Sequence, residues 1–564
     1  MSVSRRTFVK GIAAGGVVVA ADWLALGEVE GRALSKVQGL AASPQQALRG
    51  TSFDLTIGER PVSFTGATKI AQTINGSIPG PVLRWREGDT VTLRVSNQLR
   101  DEDASIHWHG IILPAGMDGV PGLSFAGIRP GETFTYQFDV TQSGTYWYHS
   151  HSGFQEQRGV YGAIVIEPRE PDPIAFDREH VILLSDWSDE NPHRIFSKLK
   201  KQADYYNRNK RTLGTLLRDI TRDGLGATLS ERGAWGSMRM NPTDLADVGG
   251  ATYTHLMNGA TPAGNWTGLF KPGERVRLRV INGSAMTYFD VRIPGLKMTI
   301  VAADGQRVHP VSVDEFRVAT AETFDVIVEP SGQDAFTIFA QAMDRTAFAA
   351  GTLAVRAGLA APVPALDPRP LLSMADMGHG DHAGHAMPAM AAPKHPRTES
   401  SPLVDMQATM VMSRLEDPGI GLRDNGRRVL SYSDLASTFP DPDGRDPGRE
   451  IELHLTGHME KFAWSFDGVK FSDAEPLRLN YGERLRIVLV NDTMMTHPIH
   501  LHGMWSDLEN DAGDFMVRKH TIDMPPGSRR TYRVRADALG RWAYHCHLLF
   551  HMEAGMFREV RVSE

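Results

Sequence analysis

Apolar and polar residues alternate in three stretches of the chain, and each stretch follows the same kind of turn signal. The first runs from Asn75-Gly76 through Glu87-Gly88-Asp89 into Thr90-Val91-Thr92-Leu93-Arg94-Val95 and closes at Asn97. The second runs from Asn258-Gly259 through Pro272-Gly273-Glu274 into Arg275-Val276-Arg277-Leu278-Arg279-Val280 and closes at Asn282. The third runs from Asp467-Gly468 through Tyr481-Gly482-Glu483 into Arg484-Leu485-Arg486-Ile487-Val488-Leu489-Val490 and closes at Asn491. Such a pattern predicts a hairpin turn and then a strand. A second shared element follows: Pro130-Gly131-Glu132-Thr133-Phe134 leads to Gly144–His149, and Pro526-Gly527 leads through Thr531-Tyr532 to Gly540–His545. The middle copy, Glu322-Thr323-Phe324 to Ile338–Gln341, keeps the strands without histidines. A unit repeated three times predicts an all-β chain of three β-sandwich modules, near 46–170, 171–357 and 405–564.

Two stretches break the pattern. Between 172 and 248 an insertion carries apolar residues at helical spacing with many charges from Arg194 to Asp223, which predicts a surface helix. From 358 to 404 the composition shifts to Pro, Ala, Met and His, with too little apolar bulk for a core, so a linker is expected. Within it stand Met374, Met377, His379, His382, His385, Met387 and Met390, set among Gly and Asp. Thioethers and imidazoles suit Cu(I) and Cu(II), so copper capture is preferred over plain linker composition.

Composition narrows the class. A length of 564 residues accommodates three domains, and 41% hydrophobic with 23% charged residues is ordinary for a globular protein. A net charge of −7 without a basic stripe argues against nucleic-acid binding. One cysteine excludes an internal disulfide framework. At the N-terminus, Ser4-Arg5-Arg6-Thr7-Phe8-Val9-Lys10 precedes a mild apolar run, Gly11 to Ala21, too short to span a bilayer. This looks like a Tat export signal within residues 1–45, cleaved between Ala20 and Ala42, with no membrane anchor afterwards.

The chemistry concentrates in the histidines. Pairs of the form H-x-H occur at His107/His109, His149/His151, His500/His502 and His545/His547. With 21 histidines in 564 residues, chance gives roughly 0.8 such pairs. The last pair brackets the lone Cys546, and His551 and Met556 follow it. Thiolate, imidazole and thioether are the ligands of a blue-copper centre. On a strand, Cys546 points to one face while His545 and His547 point to the other. One segment can therefore serve one metal with its thiol and others with its imidazoles.

These four motifs, in this order, resemble the copper-binding motifs of multicopper oxidases, the group that includes laccases and bilirubin oxidases. The resemblance implies three cupredoxin-like Greek-key domains and four coppers per chain. It implies a type 1 copper on His497, Cys546 and His551 with Met556 axial. A type 2 copper would sit on His107 and His500, and a binuclear type 3 pair on His109, His149, His151, His502, His545 and His547. The first and last modules would share the cluster, leaving the middle one a spacer. Substrate electrons would enter at Cys546 and reduce dioxygen to water. Asp118, and less directly Glu553, are the acidic residues selected for proton delivery. Trp235–Asp244, Tyr253–Gly259 and Val429–Tyr432, with the export signal and the Met/His tract, are similar to the CopA-type copper-resistance oxidases of the bacterial periplasm. That similarity implies an exported, monomeric oxidase of Cu(I), working beside other periplasmic copper-handling proteins. Laccase-like oxidation of a small organic reductant such as a phenol, and copper sequestration, are the alternatives. Met495, Met504 and Met552 stand near the type 1 histidines, either as holders of substrate copper or as core filling.

Overall fold

The structure, a computed structural model, describes residues 46–373, 376 and 393–564. The expected export signal and all seven named residues of the Met/His tract lie outside the described residues.

Six sheets pair off along the chain. A five-stranded and a four-stranded sheet draw their strands from Ala47 to Glu167. A six-stranded and a five-stranded sheet follow between Arg178 and Ala354, and another such pair lies between Arg449 and Ser563. The alternating stretches are the strands Thr90–Asn97, Val276–Asn282 and Arg484–Asn491. Each pairs parallel with the strand opening its sheet (Ser52–Val62, Arg178–Trp187 and Arg449–His458) and antiparallel with Thr133–Asp139, Thr323–Val328 and Arg529–Arg535 respectively.

The turn signals act through backbone conformation. Asn75-Gly76 (φ 52° and 76°), Asn258-Gly259 (49° and 76°) and Asp467-Gly468 (54° and 71°) place both central residues at positive φ. That is the requirement of a type I′ hairpin turn, which Asn, Asp and Gly meet most cheaply. The closing asparagines are also equivalent. Asn97, Asn282 and Asn491 are buried, and the Oδ1 of each accepts from the backbone N–H two residues on, at 2.9, 3.1 and 2.9 Å. Their Nδ2 groups donate to carbonyls further along the same module, including Met495 and Met524 in the last one.

Alternation misleads at one strand. Val276–Asn282 is buried on both faces, Arg277 and Arg279 included. Their charges are met by Asp325, Asp172 and Glu179, and the Arg279 guanidinium also donates to Thr145 Oγ1 of the first module at 2.9 Å. The polar face is covered by a neighbouring module instead of water.

The insertion is more divided than expected. It forms Pro192–Lys201, Leu213–Asp223 and Leu225–Ser237 instead of one helix over 194–223. The break falls at Gln202–Thr212, where Tyr206 is buried and its hydroxyl donates to Glu190 Oε2 at 2.8 Å. No helix among the described residues is long and apolar enough to cross a membrane.

Candidate metal centre

Short strands pinned by tryptophans carry the histidines. In His107–His109 the central Trp108 is fully buried, its ring 5.9 Å from Trp85 and 5.2 Å from Tyr136. Burying an indole contributes about 4–6 kcal/mol, so this three-residue strand is held by its core-facing ring while both histidines turn the other way. It pairs antiparallel with Gly144–His149, with His107 opposite His149. In the last module His497–Leu501 pairs with Gly540–Cys546, placing Ile499 opposite Cys546 and His500 opposite His545. His151 and His502 lie just past their strand ends.

The rings from the two ends of the chain interleave. His107 stacks on His502 (centroids 3.9 Å) and His109 on His500 (3.8 Å). Three sets of ring nitrogens converge within 4.8 Å: His107, His109 and His500; His109, His149 and His547; His151, His502 and His545. Burial, reinforced by the charge each ring would impose on its neighbours, pushes His109, His149, His151, His500, His502 and His547 well below the usual imidazole range. These are neutral rings, the form that binds metal.

Hydrogen bonds fix which nitrogen is bare. The Nδ1–H groups of His107 and His500 donate to the carbonyls of Asp118 (2.9 Å) and His520 (2.6 Å), and the Nε2 of each has no partner. His502 Nδ1 donates to Asp118 Oδ2 at 2.8 Å and His545 Nδ1 to the Cys546 carbonyl at 2.9 Å. Their Nε2 lone pairs consequently face each other at 3.1 Å. His149, whose Nδ1 donates to the Ser150 carbonyl, meets His547 Nε2 to Nε2 at 3.3 Å, and His547 Nδ1 is buried without a partner. His151 Nε2 and His109 Nδ1 are also buried without a partner. Buried acceptors without donors are costly, and lone pairs aimed at one another repel. A set of cations between them removes both costs, so the donor set fits metal.

A second convergence lies on the other face of the cysteine segment. His497 Nε2 contacts Thr493 Oγ1 at 2.7 Å and His551 Nε2 donates to Asp247 Oδ2 at 2.7 Å, leaving both Nδ1 atoms free. Those atoms are 3.1 Å apart, and Cys546 Sγ lies 3.5 and 3.9 Å from them. Met556 is fully buried, and its carbonyl accepts from Cys546 N at 3.1 Å. The Trp464 ring stacks on His551 at 4.2 Å. Burial pushes the Cys546 thiol well above its usual range, so a bound cation is what would make it a thiolate here.

Of the acidic residues selected from sequence, Asp118 arrives and Glu553 does not. Asp118 is 1% exposed and touches both His107 and His502. Glu553 ends the helix Leu549–Glu553 on the exposed side. Two residues past the buried His551, about 200° around the helix, it faces away from the cluster. Sequence reasoning missed Glu156, buried with Oε2 2.7 Å from His149 Nδ1. Burial, and then the charge of Asp186, push its carboxyl well above the usual range. Its signal was a glutamate seven residues past His149 in a polar run, which reads as ordinary loop. Asp247 was missed too, and it corrects the view of the middle module as a spacer, since that carboxylate holds His551. The insertion also reaches this side: Phe196 lies over Phe550, and Lys200 Nζ donates to the Phe462 carbonyl at 2.8 Å. Met495 and Met504 are buried in the core, and Met552 packs half-buried against it.

Comparison with known proteins bears on the whole chain. Residues 56–171, 178–357 and 444–564 each match a family model described as multicopper oxidase. Copper resistance protein A of Escherichia coli is 62% identical over 100% of both chains. A copper resistance protein A homolog of Pseudomonas syringae pv. tomato is 64% identical over 100% of this chain and 99% of that one. The crystal structure of Fet3p, a multicopper oxidase that functions in iron import, shares the fold with a TM-score of 0.66 over 92% of this chain and 91% of that one, at 19% identity. With a donor set that fits copper at both faces of one cysteine segment, three successive family matches and full-length relatives at this identity, the chain belongs to the multicopper oxidase family.

Proposed function

We propose that the chain is an exported periplasmic oxidase that converts Cu(I) to Cu(II) with dioxygen and serves copper resistance. The balance is four Cu(I), one dioxygen and four protons giving four Cu(II) and two waters. Bound copper supplies one-electron acceptance at the cysteine face and four-electron reduction of dioxygen at the histidine face.

The observation that carries the reading is the placement of Cys546. Its thiol joins His497 and His551, while its two neighbours in sequence each enter a different histidine triad. His497, Cys546, His551 and Met556 are assigned to type 1 copper and His107 with His500 to type 2. The triads His109/His149/His547 and His151/His502/His545 are assigned to type 3. The chain between these sets is one residue either way, and the Cys546 carbonyl is bonded to the His545 ring, giving a short covalent and hydrogen-bonded path. Asp118 orients His107 and His502 and is assigned to proton delivery beside the cluster. Domain limits of 46–170, 171–357 and 405–564 accompany the assignment, with the Met/His tract as the capture segment for incoming copper.

Full-length identity of 62–64% to copper resistance proteins supports Cu(I) over an organic donor. Steady-state oxygen uptake by the copper-loaded protein decides. Rapid uptake with Cu(I), exceeding that with dimethoxyphenol in the absence of added Cu(II), is expected. Rapid phenol turnover with negligible Cu(I) oxidation makes the protein a laccase, and copper binding without oxygen uptake makes it a sequestering protein.

A further inference from the structure

Away from the Cys546 centre, four side chains converge where the segment after the Met/His tract meets the last module. His395 and Glu399 come from that segment, Glu399 at the end of the short turn Arg397–Glu399. His454 comes from the strand Arg449–His458, and Asp492 directly follows the strand Arg484–Asn491. One nitrogen or oxygen from each lies within 4.8 Å of all the others. His395 Nδ1 is 2.7 Å from Glu399 Oε2 and 3.6 Å from Asp492 Oδ2; His454 Nδ1 is 2.7 Å from Asp492 Oδ2 and 3.3 Å from Glu399 Oε1.

Burial makes this arrangement demanding. The Glu399 and Asp492 side chains are 0% exposed, His454 2% and His395 20%. Among the described residues, the ion pairs of both carboxylates run only to these two histidines. Glu399 Oε1 is a buried oxygen with no hydrogen-bond partner. His395 Nε2 donates to the Ala408 carbonyl at 2.9 Å, so a neutral ring presents its Nδ1 lone pair to the carboxylates. Two buried carboxyl groups facing two imidazoles, with Glu399 Oε1 unpartnered among them, make a lining that one divalent cation would satisfy.

The donor set chooses among cations. Two imidazole nitrogens and two carboxylate oxygens match a borderline divalent ion; Cu(I) prefers thioethers, and Mg2+ or Ca2+ prefers oxygen alone. In the Irving–Williams order Cu2+ binds such a set more tightly than Zn2+. The partly exposed His395 forms the mouth, opening into a cleft lined also by Pro393, Val404 and Met406.

We propose that His395, Glu399, His454 and Asp492 form a further metal site, distinct from the oxidase coppers, that takes a borderline divalent cation, Cu2+ before Zn2+. The site stands whether or not Cu(I) is the substrate. Full-length, copper-loaded protein, cleared of loosely held ions on a chelating resin, is titrated with Cu2+ and followed by metal analysis and electron paramagnetic resonance. Beyond any Cu2+ held by the capture tract, one further Cu2+ is expected, with two nitrogen ligands and no thiolate character. Both His395→Ala and Glu399→Gln should weaken it more than about tenfold, with the blue absorbance retained as a check on folding. A chain carrying His379→Ala, His382→Ala and His385→Ala should keep the ion, which separates this site from the capture tract. The proposal is overturned if the wild-type chain takes up no such ion, if either single variant binds it as tightly, or if the triple variant loses it.

Discussion

Cys546 carries the account at the scale of single residues. Serine in its place preserves shape and removes the soft thiolate, so Cys546→Ser should lose the blue absorbance and turnover together; retained colour would refute the thiolate assignment. Asp247 makes a subtler claim. Its carboxylate accepts the His551 Nε2–H, and Asp247→Ala leaves that donor buried and unpaired, at about 1–3 kcal/mol in stability. Loss of such a ligand-orienting partner should also lower copper retention against a chelator by about 10–100-fold. Unchanged retention would make Asp247 a packing residue only. The histidines and the cysteine that converge were legible because each motif is compact, with one residue type recurring at strand spacing. Asp247 was not, because its partner lies 304 positions away and nothing local marks it. Glu553 misled for the opposite reason: nearness in sequence to His551 does not survive half a helical turn.

Turns and strands set those residues in place. Gly119 follows Asp118 with φ of 77°, and a Cβ there would run into the Ile106 carbonyl oxygen. Gly119→Ala should therefore displace the Asp118 carbonyl from His107 and its carboxylate from His502. Oxygen uptake is expected to fall while the blue absorbance, set by a different face, remains; equal loss of both would mean general unfolding. On the strand Thr323–Val328, Asp325 neutralises Arg277 and Arg279 and accepts from Thr145 Oγ1 of the first module at 2.6 Å. Removing it leaves Arg277 with Asp172 alone and Arg279 with Glu179 alone, with donors aimed at the vacated carboxylate unpaired, so Asp325→Ala should cost about 1–3 kcal/mol, seen as a lower melting temperature. Burial alone would raise the Asp325 carboxyl, but Arg277, Arg279 and Thr145 hold it below its ordinary 3.8. Its contribution is thus complete above pH 3.8 and disappears as the pH falls through the lower folded value. Wild type should lose the contribution on acidification, and the gap in melting temperature to Asp325→Ala should shrink; a gap independent of pH would contradict the pairing. The strands themselves were legible from period-2 alternation and paired turn residues. The buried polar face of Val276–Asn282 was not, because alternation reports two faces without saying what covers each.

At the scale of the whole molecule, the cluster exists only where the first and last modules meet, and the middle module and its insertion close over the thiol side. The three-module architecture could be read from the repeat alone. The helical insertion's contact with Phe550 and Phe462 could not, since it depends on tertiary packing between segments far apart in sequence. The Met/His tract precedes the last module, and deletion of residues 374–390 should slow Cu(I) oxidation at low copper while sparing small organic donors. An equal effect on both donors would remove the capture role. The central claim is that one thiol face and three metal positions share a single cysteine segment. Anaerobic reductive titration of the copper-loaded chain, followed by reoxidation with measured dioxygen, tests it directly: four electrons taken up per chain and returned to one dioxygen as water is the predicted result, and uptake of only one or two electrons would contradict it.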